Sequence, residues 1–148
     1  MIRSLELPVA GPGLHEITRE VAASVAEMLD DAAPAVRHGG LCTLFLRHTS
    51  ASLTIQENAD PSARRDLERF LARLVPENDP LYTHTDEGPD DMPSHIRAAL
   101  TATSLSIPLL NGRMGLGTWQ GIYLWEHRRG RRERELLVHI GGGGRGFN

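Results

Sequence analysis

The run LFLRHTSASLTIQENADP, Leu44 to Pro61, carries a strand, a break and a helix start in close succession, and its reading sets the rest of the chain. Side chains alternate along a strand, so a strand over Leu41–Arg47 puts Cys42, Leu44, Leu46 and His48 on one face. Three apolar members make that face the inner one, and His48 therefore stands where the core ends. Ser52 to Gln56 reads as further extended chain. Asp60-Pro61 then opens a helix, with a carboxylate as N-cap and a proline where its missing N–H costs nothing.

Downstream, Leu67, Phe70, Leu71 and Leu74 form the predicted buried stripe of that helix, and Val75-Pro76 stops it. Residues 77–91, ENDPLYTHTDEGPDD, are polar and turn-rich, and loops of that length are usually functional. A helix is predicted over Met92–Ala102, with Ile96, Ala99 and Leu100 inward. SLSIPLL, the pair Asn111-Gly112 and RMGLGTWQGIYLWEH form a predicted hairpin, since Asn-Gly supplies the positive φ values of a tight turn. Trp119, Tyr123 and Trp125 fall on one face of the returning segment and Ile122 and Leu124 on the other, which predicts burial on both sides. Arg128–Arg134 reads as a solvated basic turn around Gly130, and ELLVHI as the last strand.

Upstream, Ile2–Leu7 reads as a strand closed by Gly11-Pro12-Gly13. Ile17, Val21, Ala22, Val25, Met28 and Leu29 recur at helical spacing, with Thr18 as N-cap. Segregated helices and strands give an α+β class with a largely antiparallel sheet and about three helices. One domain is expected over residues 1–141, followed by a flexible glycine-rich tail over residues 142–148.

Composition narrows the chemistry. The 148 residues carry a net charge of −3, which favours neither nucleic acid nor an anionic membrane as partner. All 16 basic residues are arginine, so Schiff-base lysines, lysine general bases and the P-loop lysine are excluded together. No G-x-S-x-G elbow is present, and GGGGRG at 141–146, which fits GxGxxG by letter, reads as a tail with no helix after it and not as a phosphate cradle. A lone cysteine, Cys42, reads as a small buried hydrophobe and suits a reducing compartment. No apolar run reaches the length of a membrane span, and the N-terminus lacks the basic-then-apolar shape of a signal peptide, so a cytoplasmic location is expected.

Among the histidines, His15, His38, His127 and His139 read as structural. His48, His84 and His95 have hydroxyl or acidic neighbours, and Asp91 precedes His95 by four residues, a spacing that faces both the same way on a helix. Three imidazoles from separate elements with carboxylates nearby suit a divalent metal. Their spacing matches no compact zinc signature, so on this ground alone a hydrogen-bonded polar seam is the readier reading.

The blocks HTSASLTIQENADP, YTHTDEGPDDMPSHI, SLSIP and GTWQGIYLWEHR, in this order, resemble the YjbQ family, to which a secondary thiamine-phosphate synthase activity is sometimes ascribed. The resemblance covers about Ile2 to Gly141. It implies a β-sandwich core, a homotrimer and a polar site holding a metal or an anion. On that basis His48, His84 and His95 are expected as metal ligands, and Asp91 and Glu126 as orienting or acid–base groups. Ser50, Asn58, Gln120 and Arg128 are expected to contact a small phosphorylated substrate. Three histidines favour Zn²⁺ over Mg²⁺, which prefers oxygen ligands. The expected function is a small metal-dependent enzyme, with a non-catalytic binding protein as the rival.

Overall fold

The computed structural model describes residues 1–143. Its strands are β1 (Ile2–Ala10), β2 (Gly13–Glu16), β3 (Gly40–Leu46), β4 (Ala51–Glu57), β5 (Ser104–Leu110), β6 (Arg113–Met114), β7 (Gln120–Glu126) and β8 (Arg131–Gly142). The helices are α1 (Thr18–Asp30), α2 (Pro34–Arg37), α3 (Pro61–Leu74) and α4 (Asp91–Leu100). One sheet has the order β1-β8-β3-β5-β6 and the other β2-β7-β4, every pair being antiparallel. The fold is α+β, with one more helix than the pattern suggested, the short α2.

The two sheets enclose one core. Cys42, Leu44 and Leu46 of β3 and Leu136, Val138 and Ile140 of β8 meet Leu53 of β4 and Ile122 and Leu124 of β7. Val21, Val25, Met28 and Leu29 of α1 join the same cluster. Burial pushes the Cys42 thiol up to about 11, so it is protonated and inert. A second cluster lies on the other face of β7, where Tyr123 and Trp125 pack with Leu14, Leu71 and Val75, and with Leu67 and Ile96 beside them. β7 is thus buried on one face by the five-stranded sheet and α1, and on the other by α3 and α4. The expected two-sided burial is real, and it needs no neighbouring subunit to explain it; Trp119, ahead of the strand, is 63 % exposed.

Several local expectations change. Asp60 does cap α3, accepting the Ser62 N–H at 2.9 Å, with Pro61 at the first position. The stripe of α3 is narrower than its pattern, because Leu71 faces β7 while Phe70 and Leu74 are each 57 % exposed. On α4, Ala99 and Leu100 are exposed, and the buried positions are Asp91, Pro93, Ser94 and Ala98. Thr18 does not cap α1; its hydroxyl bonds Glu16 and accepts the Ile122 N–H, tying the helix start to β7. Asn111 and Gly112 have φ values of 51° and 77°, as a tight hairpin turn requires. The returning strand β6 is only two residues long, and the chain then crosses to the other sheet. β8 runs on to Gly142, which pairs with Gly40, so the expected tail begins inside a strand. Residues 144–148 of that tail lie outside the described residues.

Candidate metal centre

Three connections meet at one end of the sandwich: residues 47–50 between β3 and β4, residues 127–130 between β7 and β8, and residues 75–90 leading into α4. Their side chains form two connected layers, one sealed and one open.

The sealed layer closes the core. Register pairs Ala51 with Glu126, and Glu126 projects inward with Leu124 and Ile122. It meets Arg134, which lies on the core face of β8 with Leu136 and Val138. Arg134 donates from Nε to Glu126 Oε2 at 2.6 Å and from Nη2 to Ser50 Oγ at 3.0 Å. Glu126 Oε1 also accepts the backbone N–H groups of His127 and Arg128. With four hydrogen bonds accepted and its side chain fully buried, Glu126 holds this junction; the acid–base role expected for it is not supported by its position. Ser50 is likewise committed to Arg134.

Behind this layer His127 is buried, its Nε2 2.9 Å from Ser52 Oγ. Burial, aided by the charges of Arg97 and Arg134, pushes it down to about 3, so it is neutral at pH 7.

The open layer gathers at the start of α4. Asp91 and His95, one turn apart, bring Asp91 Oδ2 and His95 Nε2 to 3.2 Å. His84, from the loop, places its Nε2 2.7 Å from the same oxygen. One donor atom from each of His84, Asp91 and His95 lies within 4.8 Å of the others. Asp91 is almost wholly buried and His84 half exposed, so the group opens on the His84 side. The other Asp91 oxygen accepts Arg128 Nη1 at 2.7 Å, and Arg128 also donates to Asp90 and to the Glu87 carbonyl. Burial raises the Asp90 carboxyl, and the Arg129 N–H and the Arg128 guanidinium outweigh it, leaving the group below the ordinary carboxylate value.

His95 bears most directly on what this group could hold. Its Nδ1 lies 2.9 Å from the Thr49 carbonyl oxygen, which can only accept, so Nδ1 carries a proton. In the neutral ring Nε2 is then a bare lone pair, and it faces a carboxylate oxygen. Two acceptors at that distance repel unless a proton or a cation lies between them. A backbone carbonyl that fixes a ligand histidine's tautomer is the usual partner of a metal-bound imidazole. The residues present therefore fit a divalent cation.

The structure gathers the expected site residues only in part. His84, His95, Asp91 and Arg128 converge, but Asp91 stands among the donor atoms and not behind them. Arg128 is no free anion contact, because its guanidinium is spent on Asp90, Asp91 and Glu87. His48 stands outside the group of three; it reaches β8, where its Nε2 accepts the Glu135 N–H at 2.7 Å. Asn58 and Gln120 belong to the opposite end: Gln120 pairs with Glu57, six positions along from Glu126. At about 3.3 Å per residue that is roughly 20 Å away. There Asn58 bonds Glu16 and Gln120 bonds the Gly117 N–H. Proximity to the ENADP and TWQG motifs in sequence is not proximity in space, because β4 and β7 run away from the site.

Asp90, Thr49 and Arg134 were not anticipated. Arg134 was legible, since the alternation of RELLVHI puts it on the face of Leu136 and Val138. Asp90 and Thr49 act through loop geometry, which no periodicity encodes.

The UPF0047 protein YjbQ-like family model matches residues 3–143. A UPF0047 protein of Synechocystis sp. is 63 % identical over 103 residues, 70 % of each chain. The UPF0047 protein YjbQ of Escherichia coli O157:H7 is 45 % identical over 140 residues, covering 95 % of this chain and 96 % of that one. Among solved structures, a conserved hypothetical protein from Thermus thermophilus superposes with a TM-score of 0.79 at 36 % identity, over 94 % of this chain and 99 % of that one. With sequence and fold agreeing over nearly its whole length, the chain belongs to the YjbQ-like UPF0047 family.

Proposed function

We propose that the protein is a metal-dependent enzyme acting on a small phosphorylated molecule, with His84, Asp91 and His95 holding a divalent cation. The observation that supports this is the His95 tautomer, which aims an imidazole lone pair at Asp91 Oδ2 beside His84 Nε2. Two nitrogens and one oxygen favour Zn²⁺ over Mg²⁺. Three protein ligands leave a coordination position for water or substrate, the arrangement of catalytic zinc rather than structural zinc. When bound, the cation would polarise a phosphoryl oxygen or activate a water. A transfer of the thiamine-phosphate synthase kind asks for a cation on a pyrophosphate leaving group, so that activity is the first to assay.

Two clefts flank the group. One, of about 360 Å³, is lined by Asp79, Tyr82, His84, Gly88 and Met92. The other, of about 320 Å³, is lined by His48, Thr49, His95, Ala98 and Thr103. We further propose a homotrimer, for which the outer face of the five-stranded sheet is available, since it exposes Leu41, Phe45 and Leu110.

Zinc content per chain, measured on protein purified without a histidine tag, tests the reading. About one ion is expected in the wild type and in His127→Ala, and none in His95→Ala. Loss in His127→Ala alone would place the metal elsewhere. No bound ion with any divalent metal would remove the proposal. Zinc and phosphate binding without turnover of any phosphorylated substrate would leave a binding protein.

A further inference from the structure

We propose that His48 is not a metal ligand but a hydrogen-bond donor, which holds an oxygen of a small phosphorylated ligand in the cleft beside His95. The proposal rests on the cation site of His84, Asp91 and His95 and gives its ligand a second point of attachment.

Valence fixes the ring's state. The Glu135 backbone N–H lies 2.7 Å from His48 Nε2. An amide N–H can only donate, so Nε2 must present its lone pair. That lone pair is then spent and cannot bind a cation. In a neutral ring the single proton must sit on Nδ1, which has no partner among the described residues. Neither nitrogen can serve a metal, and one is a donor without an acceptor.

Its surroundings keep it in that state. Burial and the nearby Arg134 charge hold His48 below the ordinary imidazole value, against smaller opposing effects of Glu126, Glu135 and Glu6. Arg134 is itself fixed by Glu126, and Glu135 is fixed by the ladder of β8. The tautomer is thus set by backbone and not by a mobile side chain.

The cleft that His48 lines also touches His95, so it lies between the donor and one of the residues that would hold the cation. The lining has neither carboxylate nor guanidinium; its polar groups are imidazoles and hydroxyls, with Ala98 and Ala99 as an apolar side. One occupant fits this chemistry: a phosphoryl oxygen toward the cation and His48, and a small apolar body against the alanines.

Two-bond ¹H–¹⁵N correlation spectra of the full chain read the tautomer directly, without any activity. They should show His48 protonated at Nδ1 only, with its shift moved by added inorganic phosphate. Zinc content and phosphate affinity of the zinc-loaded protein supply the second readout. His48→Ala should keep its zinc and lose roughly 10- to 100-fold in phosphate affinity, the usual worth of a hydrogen bond to a charged group. His48→Gln, which retains an N–H donor, should recover part of the loss and covers the case in which the alanine variant does not fold. Zinc loss in folded His48→Ala or His48→Gln, an unprotonated Nδ1, or unchanged phosphate affinity would each overturn the proposal. If the wild type binds no zinc, the cation reading falls by itself. His48 is then judged on the spectra alone: a phosphate-responsive Nδ1–H supports the donor, and a silent one overturns it.

Discussion

His127 should make the protein acid-sensitive by an amount that can be computed beforehand. In the folded chain it is buried against Ser52 and Trp125, and it takes a proton only near pH 3. In the unfolded chain it takes one near the free value of about 6.5. Between these limits the unfolded state binds more protons, so the stability due to this group is complete above pH 6.5 and is lost as pH falls toward 3. The limiting slope is about 1.4 kcal/mol per pH unit. Integrated from about pH 6.5 to about pH 4.5, one such histidine removes roughly 2 kcal/mol. His127→Gln takes the titration away and leaves an amide near Ser52 Oγ.

Urea unfolding at half-unit pH steps would measure this. The variant is expected to start less stable at pH 7, and that offset is irrelevant; what matters is the difference in slope. The wild-type curve should fall more steeply than the variant's, the gap closing by roughly 2 kcal/mol over those two pH units. Titration of the carboxylates contributes to both curves and cancels. Curves that stay parallel within about half a kcal/mol would show that His127 is protonated in the folded state, against the burial and charges that surround it.

Arg134→Met should cost about 3–5 kcal/mol by leaving Glu126 buried and unpaired, and adding Glu126→Leu should recover much of it, both read from denaturant midpoints. Gly40→Ala should destabilise by about 1–3 kcal/mol, because its Cβ would lie 2.7 Å from the Val36 carbonyl oxygen and 2.8 Å from that of Gly141; an unchanged melting temperature would show that α2 yields easily. Asp91→Asn should weaken zinc by more than the roughly 10- to 100-fold typical of a residue that merely orients a ligand, and a smaller loss by competition titration would return Asp91 to that lesser role. Sedimentation at micromolar concentration should show a trimer that Phe45→Glu dissociates; a wild-type monomer would end that proposal.

How far such features could be read from the chain depends on what encodes them. Period-two alternation gave the inner face of β3 as far as His48, and the i, i+4 spacing gave Asp91 with His95, because both follow from fixed backbone geometry. The Asn111-Gly112 turn and the Asp60-Pro61 start were equally legible, each resting on one local conformation. What failed was the partner of each face. Phe70 and Leu74 have the spacing of a buried stripe, but α3 packs on the β7 side through Leu71 and Leu67. Arg128–Arg134 looks solvated as a run, yet Arg128 and Arg134 are each claimed by carboxylates 37 and 8 residues away. Long-range pairing is what a window of neighbouring residues does not contain.

Charge at the site leads to a last expectation. Glu126 and Arg134 cancel, and Asp90, Asp91 and Arg128 leave one negative charge next to two imidazoles. Without a cation these three charged groups disfavour a phosphate beside them; with a divalent ion they and it sum to one positive charge. At an effective dielectric constant of about 20, a unit charge roughly 5 Å away is worth about 3 kcal/mol, and the half-exposed His84 side admits water and salt that reduce this. Inorganic phosphate should therefore bind zinc-loaded protein at least about tenfold more tightly than metal-free protein, with a difference that shrinks as salt rises. By linkage, phosphate must tighten zinc by the same factor, so the two titrations check each other. Equal phosphate affinity with and without zinc would mean that the anion is held by some other cationic group, and that the three residues at the head of α4 do not attract it.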